Sequence, residues 1–146
     1  MATSNPHEWF KRSVGTWTSQ RRYIFDLESL KPTTLTTEFT IAPHYDGEFH
    51  YEVSWTGKTN GVMNLKLIGN ELHRDIGYFT SEPTVSLLEM IDADTLVMRT
   101  SYDGMTFREE IRYLYNDTVR LRQTTGVRDV DGQPTIVGQY YEKRLS

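Results

Sequence analysis

Residues 95–125, TLVMRTSYDGMTFREEIRYLYNDTVRLRQTT, carry the clearest indication of the fold class. Apolar and polar side chains alternate with period two, which is typical of half-buried strands. Asp103-Gly104 and Asn116-Asp117 interrupt the alternation with residues that favour tight turns. The stretch therefore predicts three antiparallel strands joined by hairpin turns. The three predicted strands are Thr95–Tyr102, Thr106–Leu114 and Thr118–Thr125.

The same alternation of strand and turn signals extends over most of the chain. Seven further strands are predicted at Trp17–Phe25, Thr33–Ile41, Phe49–Trp55, Val62–Ile68, Leu72–Ile76, Val85–Ile91 and Thr135–Leu145. Ten short strands without crossover helices predict an all-β antiparallel sheet, either closed into a barrel or folded into a sandwich. Closure is favoured because it removes two exposed edges. A barrel of this size leaves an interior wide enough for one small ligand.

One short helix is predicted before the first strand, at residues 5–13. Asn5 suits the N-cap, Pro6 suits the first helical position, and Glu8 completes a capping-box pattern. Gly15 is well placed to end the helix. The expected architecture is thus a ten-stranded barrel with a short N-terminal helix.

Composition limits the functions that are open to the chain. It has 146 residues, a formal net charge of −4 and no cysteine. The length suits one domain over residues 1–146. Without cysteine there is no disulfide, thiolate metal site or thiol nucleophile, and the chain is compatible with a reducing cytosol. A sequence pI near 5.5 argues against a general nucleic-acid binder.

Other broad classes of function find no support in the sequence. No apolar run is long enough to span a bilayer, and Met1–Glu8 lacks the basic and apolar regions of a secretory signal. The four histidines have no ligand spacing, so no metal site is predicted. Nothing resembles a phosphate loop or a nucleophile elbow.

Arginine is concentrated near the end of residues 95–125. Four of the eleven arginines lie at positions 108, 112, 120 and 122. If the Asn116-Asp117 hairpin brings their faces together, Glu110 lies among them and the group forms an anion-binding wall inside the barrel. The alternative is an outer, solvated face with cross-strand Glu–Arg pairs worth about 0.2–1 kcal/mol each.

Gly15-Thr16-Trp17 resembles the opening motif of lipocalin-type barrels. In that motif the indole closes the floor of the barrel and an arginine from a late strand covers it. Arg122 and Arg144 are the candidates for that arginine.

An ordered set of six stretches covers nearly the whole chain. The stretches are Gly15–Arg21, Val53–Gly57, Leu72–Tyr78, Phe107–Arg112, Val119–Arg122 and Tyr141–Leu145. Together they resemble the S-type phycobiliprotein lyases (the CpcS/CpeS group), whose fold is a lipocalin-like, or calycin, barrel of ten strands.

The resemblance implies a function. The barrel would hold a phycobilin, an open-chain tetrapyrrole such as phycocyanobilin or phycoerythrobilin, as its substrate without a further cofactor. It would then deliver this chromophore to a cysteine of an apo-phycobiliprotein subunit in the cytoplasm of a cyanobacterial-type cell. A chain without cysteine cannot keep the chromophore as a thioether, so we expect non-covalent binding. Family members occur as homodimers and as heterodimers with a related lyase subunit.

The resemblance also implies roles for individual residues. Arg21 corresponds to an arginine at the bilin pocket, and Glu110 to a pocket carboxylate that acts on the pyrrole nitrogens. We therefore expect these two residues to be catalytic. Arg120 and Arg122 correspond to a basic pair that meets the two propionates, and Trp55 corresponds to a pocket tryptophan.

Further side chains suit such a ligand by their chemistry. Trp17, Tyr23, Trp55 and Met63 can pack on a flat conjugated body. Arg144 adds another cation near the closing strand. Two alternatives remain beside the lyase hypothesis. One is a lipocalin-like carrier of a bilin or another amphipathic acid, such as a fatty acid or haem, without transfer activity. The other is a ligand-free interaction domain with a solid interior.

Overall fold

Ten antiparallel strands close into one barrel in the computed structural model, which describes residues 5–25, 28–44, 47–76 and 82–146. A short helix precedes them. The elements are α1 (Pro6–Arg12), β1 (Gly15–Ile24), β2 (Pro32–Pro43), β3 (Tyr51–Thr56), β4 (Gly61–Ile68), β5 (Glu71–Arg74), β6 (Thr84–Met90), β7 (Thr95–Tyr102), β8 (Met105–Leu114), β9 (Val119–Arg128) and β10 (Pro134–Arg144). Each strand pairs with its neighbours in sequence, and β1 pairs with β10 to close the ring. The predicted barrel and helix are confirmed.

Three predicted features fall wholly or partly outside the described residues. These are the first four positions of the chain, Asp46 of one predicted turn, and Gly77-Tyr78 of the third resemblance stretch. Within the described part, no helix is both long and apolar enough to cross a membrane.

The helix forms as its capping residues predict, with one difference at its end. The side chain of Asn5 accepts a hydrogen bond from the backbone N–H of His7 at 2.8 Å. The helix ends at Arg12 with Ser13 as C-cap, so Gly15 does not end it. Gly15 instead begins β1 with φ +143, and a Cβ there would lie 2.5 Å from the carbonyl oxygen of Ser146. The close approach of the C-terminal backbone is what requires glycine.

The two ends of the barrel are built differently. At the end where β1 begins, Trp9 and Phe10 of α1 join the larger apolar core and close the floor. At the other end, a smaller cluster contains Tyr23, Phe107 and Ile136. Among the described residues, α1 therefore covers one end of the barrel, and the second end, which no helix covers, is here called the open end.

The register of β8 and β9 corrects the prediction of one shared arginine face. Arg120 pairs with Tyr113 and Arg122 with Ile111, whereas Arg112 pairs with Leu121. Directly opposed residues lie on the same face of a sheet. Arg120 and Arg122 therefore point into the barrel, and Arg112 points out, as does Arg108 on the same face of β8.

Candidate functional site

An internal cavity of about 240 Å³ lies between the helix and the open end of the barrel. Its walls combine aromatic and aliphatic side chains with five charged ones. The charged lining residues are Arg21, Arg74, Glu109, Arg120 and Arg122. A cavity that is mostly apolar but carries a few converging polar groups is typical of a small-molecule site. The solid interior expected of a ligand-free domain is thus not found.

A buried ionic network forms the wall contributed by β8, β9 and β10. Glu142 is fully buried and accepts two hydrogen bonds from Arg120, from Nε at 3.0 Å and Nη2 at 2.7 Å. Its other oxygen lies 3.4 Å from Nη1 of Arg122. Arg122 also donates to Glu109 at 2.9 Å. Hydrogen bonds and ion pairs therefore link two arginines and two carboxylates in a continuous network from the floor to the cavity.

Glu142 stays ionised within this network. Burial alone would raise the pKa of its carboxyl group, but the positive charges of Arg120 and Arg122 and their hydrogen bonds more than offset that effect. The pKa of Glu142 is therefore lowered from its ordinary value. In turn, this carboxylate engages Nε and Nη2 of Arg120, whose Nη1 donates to Ser13 at 3.0 Å.

The carboxylate on the cavity wall is Glu109, and the prediction that Glu110 would supply it is wrong. Glu110 pairs across the sheet with Gln123, on the outer face. Its side chain is 37% exposed and lies 3.8 Å from Arg108. Because side chains alternate along a strand, adjacent glutamates face opposite sides, and only Glu109 turns inward.

Arg21 reaches the cavity from β1, as predicted. Its Nε donates to Ser19 Oγ at 3.1 Å, and its guanidinium lies 5.2 Å from the ring centre of Tyr140. Among the described residues no carboxylate pairs with it. Arg21 therefore presents a cation to the cavity that the ionic network does not neutralise.

Tyr23, Trp55 and Met63 also line the cavity, as predicted. Met63 and Tyr23 are almost fully buried, while Trp55 is partly exposed near the end of β3. They provide an apolar surface on the wall formed by β1, β3 and β4. Burial also raises the pKa of the neighbouring Tyr140 hydroxyl, which therefore stays protonated.

Trp17 and Arg144 were predicted to bind ligand, but the structure places both at the floor and neither on the cavity lining. Trp17 is completely buried, outside the cavity lining, and its Nε1 donates to the carbonyl oxygen of Ser13 at 3.0 Å. Arg144 lies 4.3 Å from the indole centre and donates to three backbone carbonyls. The expected arginine over the floor tryptophan is thus Arg144 rather than Arg122, and its role here is structural.

Five residues that build the site were not among the predicted site residues. They are Trp9, Phe10, Arg74, Glu109 and Glu142. A signal existed for two of them: Arg74 lies two positions after Leu72, and Glu142 two positions after Tyr140. Period-two alternation places each on the same inward face as its apolar neighbour. No group of three or more potential metal ligands occurs in the part of the chain that the structure describes.

Comparisons with known proteins agree with this geometry. The family model described as "CpeS-like protein" matches residues 63–145. The chain is 31% identical to a Nostoc sp. protein named "Putative phycocyanobilin lyase CpcS 2", over 94% of this chain and 89% of that one. It is 30% identical to "Putative chromophore lyase CpcV" of Picosynechococcus sp., over 94% and 80% of the two chains.

A solved structure shares the fold. It is the S-type phycobiliprotein lyase CPES from Guillardia theta, with a TM-score of 0.78 and 20% sequence identity. The superposition covers 96% of this chain and 92% of that chain.

Proposed function

Because the chain belongs to the CpeS-like family, we propose that it is a phycobiliprotein lyase. It binds a phycobilin without a covalent bond inside the barrel and transfers it to a cysteine of an apo-phycobiliprotein subunit. Its relatives named as lyases extend over nearly the whole chain, which supports a common activity rather than a shared fragment.

The charge balance of the interior is the observation that carries this proposal. Four arginines and two glutamates face the interior among the described residues, an excess of two positive charges. The four arginines are Arg21, Arg74, Arg120 and Arg122. A phycobilin carries two propionates on a flat conjugated body, so it supplies two negative charges and a large apolar surface. Arginine is well suited to carboxylate recognition, and the aromatic wall suits the pyrrole rings.

Glu109 supports the chemistry that we propose. Its carboxylate on the cavity wall can accept hydrogen bonds from pyrrole N–H groups and stabilise a protonated chromophore. Protonation draws electrons from the ethylidene group, which the acceptor thiolate then attacks. One carbon–sulfur bond and one carbon–hydrogen bond form as the thiol adds across the double bond. No oxidant or reductant is needed.

The size of the cavity supports release as well as binding. Closed sites for drug-sized ligands typically measure about 300–1,000 Å³. The cavity here measures about 240 Å³, so a four-ring chromophore extends beyond it through the open end. The exposed part is where an acceptor cysteine can reach the reacting carbon.

The finer assignments follow from the same proposal. We infer that the chromophore is phycocyanobilin or phycoerythrobilin, and that the acceptor is a phycobiliprotein subunit in the cytoplasm of a cyanobacterial-type cell. The first of the relatives bears the name of a phycocyanobilin lyase, which favours phycocyanobilin as the first pigment to test.

A two-step experiment tests the proposal. The purified protein is mixed with phycocyanobilin, and in parallel with phycoerythrobilin, and visible spectra are recorded. We expect a sharpened, red-shifted band from one pigment. The loaded protein is then mixed with an apo-subunit and with its cysteine-to-serine variant, and covalent chromophore is measured after denaturation. Absence of a spectral change with both pigments would overturn the proposal.

A carrier without transfer activity is the second candidate. The salt bridge between Glu109 and Arg122 favours it, because a carboxylate engaged by Arg122 has less hydrogen-bonding capacity left for the pyrrole nitrogens. The same experiment separates the two functions. A carrier gives the spectral change but attaches chromophore to the apo-subunit no faster than free pigment does.

A further inference from the structure

Arg74 and Thr84 face the interior from a wall remote from the ionic network. They are directly opposed across β5 and β6, and each is only 5% exposed. Arg74 lines the cavity. In the barrel order, β5 is four strands from β1, which carries Arg21, and five strands from β10, which carries Glu142. The interior therefore has a second polar region on its opposite side.

Neighbouring hydroxyl groups hold the Arg74 guanidinium in place. Its Nη1 donates to Ser86 Oγ at 2.5 Å, and Ser86 in turn is hydrogen-bonded to Thr100 at 2.5 Å. All three residues are buried. A guanidinium fixed by such contacts is preorganised, and less conformational entropy is lost when it binds an anion.

Thr84 adds an observation that points to a ligand. Its Oγ1 is buried, and the described residues provide it with no hydrogen-bond partner. Buried hydroxyl groups are nearly always paired, and each exception needs an explanation. Thr84 lies directly opposite Arg74 on the same interior face of the sheet, and Ser86, which accepts from Arg74, is two positions further along β6.

We propose that Arg74 and Thr84 form a separate carboxylate subsite, which binds one propionate of the phycobilin. The guanidinium provides charge-assisted N–H donors, and the Thr84 hydroxyl donates an additional hydrogen bond. The second propionate lies on the other wall, where Arg21 is the accessible cation. Arg120 and Arg122 then serve mainly to hold Glu142 and Glu109. This inference rests on the proposed function and specifies how the substrate is oriented.

The experiment compares two probes that differ only in the charge of the propionates. The wild-type protein and its variants are titrated with phycocyanobilin and with phycocyanobilin dimethyl ester, and the visible spectrum gives each Kd. For Thr84→Val we expect the acid to bind more weakly by about tenfold or more, the loss of one hydrogen bond to a charged carboxylate, with the ester unaffected. For Arg74→Gln we expect a loss of about 10- to 100-fold for the acid alone.

Thr84→Val is the decisive variant because it removes only an unpaired hydroxyl. Valine has nearly the same shape, so we expect the apoprotein to unfold at the same or a higher urea concentration. Thr124→Val is the matched control: Thr124 is also buried but donates to the Tyr140 hydroxyl at 3.3 Å. That variant should lose stability and keep the wild-type ratio of acid to ester affinity.

The outcomes distinguish this subsite from the wider proposal. If the wild-type protein binds neither probe, the proposed function fails. If it prefers the acid and both variants keep that preference, the Arg74–Thr84 subsite is wrong and the proposed function stands. Equal wild-type affinity for acid and ester would exclude carboxylate recognition at either wall.

Discussion

Gly61 occupies the position across the sheet from Trp55, and the indole fills the space that a side chain at Gly61 would need. A Cβ atom there would lie 2.2 Å from Cζ2 of the indole and within 2.8 Å of two further ring atoms. The backbone of Gly61 does not have a positive φ, so it would accept alanine. The absence of a side chain thus positions Trp55 on the cavity wall.

Gly61→Ala should displace the indole and reshape the cavity. We expect a changed near-ultraviolet circular dichroism spectrum and phycobilin binding weaker by about tenfold, equivalent to about 1.4 kcal/mol. The same substitution made in a Trp55→Ala background provides the control, since the ring is then gone. An equal further loss of affinity in both backgrounds would contradict a positioning role for Gly61.

Glu109→Gln and Glu110→Gln form a matched pair on adjacent residues of β8. Glu109 lines the cavity and Glu110 lies on the outer face. We expect Glu109→Gln to reduce the spectral shift of bound bilin and to slow transfer by about 100-fold or more, the usual range for loss of a catalytic acid–base group. Glu110→Gln should retain wild-type spectra and rates. A transfer defect confined to the Glu110 variant would refute the assignment.

Glu142→Gln should destabilise the fold strongly. Removing one partner of a buried ion pair costs about 3–5 kcal/mol, because Arg120 and Arg122 are then left without their shared carboxylate. Urea unfolding at neutral pH measures this loss. Arg120→Ala and Arg122→Ala should also lower stability substantially, rather than reduce bilin affinity alone. Stability close to wild type in all three variants would contradict the structural importance of the network.

The lowered pKa of Glu142 also predicts how the stability of the wild-type protein changes at acidic pH. Its pKa is lowered below the ordinary value of 4.5 in the folded state, so its contribution to stability is fully present above that pH. The contribution is lost as the pH falls through the lowered folded value. Wild-type stability should therefore decline in that acidic range more steeply than the stability of Glu142→Gln. Parallel unfolding curves at a series of pH values provide the measurement, and identical pH profiles would count against it.

Arg144→Gln should lower the stability of the fold without weakening phycobilin binding. Arg144 donates to the carbonyls of Asp117, Val14 and Arg12 at 3.0, 2.7 and 2.5 Å. Loss of these charge-assisted bonds should cost about 2 kcal/mol or more, while phycobilin affinity stays within about twofold of wild type. Lys143→Gln, at an exposed outward position, is the control and should change neither quantity. A selective loss of affinity in Arg144→Gln would return this residue to the ligand site.

The order and limits of the strands were predictable because their signals are local. Thr95–Tyr102 was predicted with the same limits that the structure shows, and most other strands differ by one to three residues at an end. Alternation and turn residues both act over a few neighbouring positions. Gly15 is the exception, since its role depends on the approach of Ser146 from the far end of the chain.

The sequence could not predict which arginines share a face of the sheet, because their placement depends on the register of the hairpin between β8 and β9. Tyr115, Asn116 and Asp117 all have positive φ, and the turn they form pairs Tyr113 with Arg120. A register differing by one residue would have placed the outward residues of β8 opposite Arg120 and Arg122 instead. The same one-residue change in register would determine whether Glu109 or Glu110 shares the face of Arg120 and Arg122.

The network around Glu142 depends on the register of another hairpin. Its partner Arg120 is 22 positions earlier in the chain and lies directly opposite it across β9 and β10, whose register shifts near Pro134 and Ile136. Sequence reasoning identified the cations but not the carboxylate that holds them. Arg120 and Arg122 were therefore expected to be more available for ligand than the structure allows.

The helix at the floor limits the routes by which a ligand can enter and leave the barrel. Trp9 donates to the carbonyl of Asp94 at 3.0 Å, and Arg12 binds Asp94 and Asp117 at 2.6 and 2.7 Å, so α1 is fastened across one end of the barrel. Under the proposed function, a bilin then enters and leaves through the opposite end of the barrel. The ring that enters first would be the last to leave, so the orientation at loading would set which end of the pigment faces the acceptor.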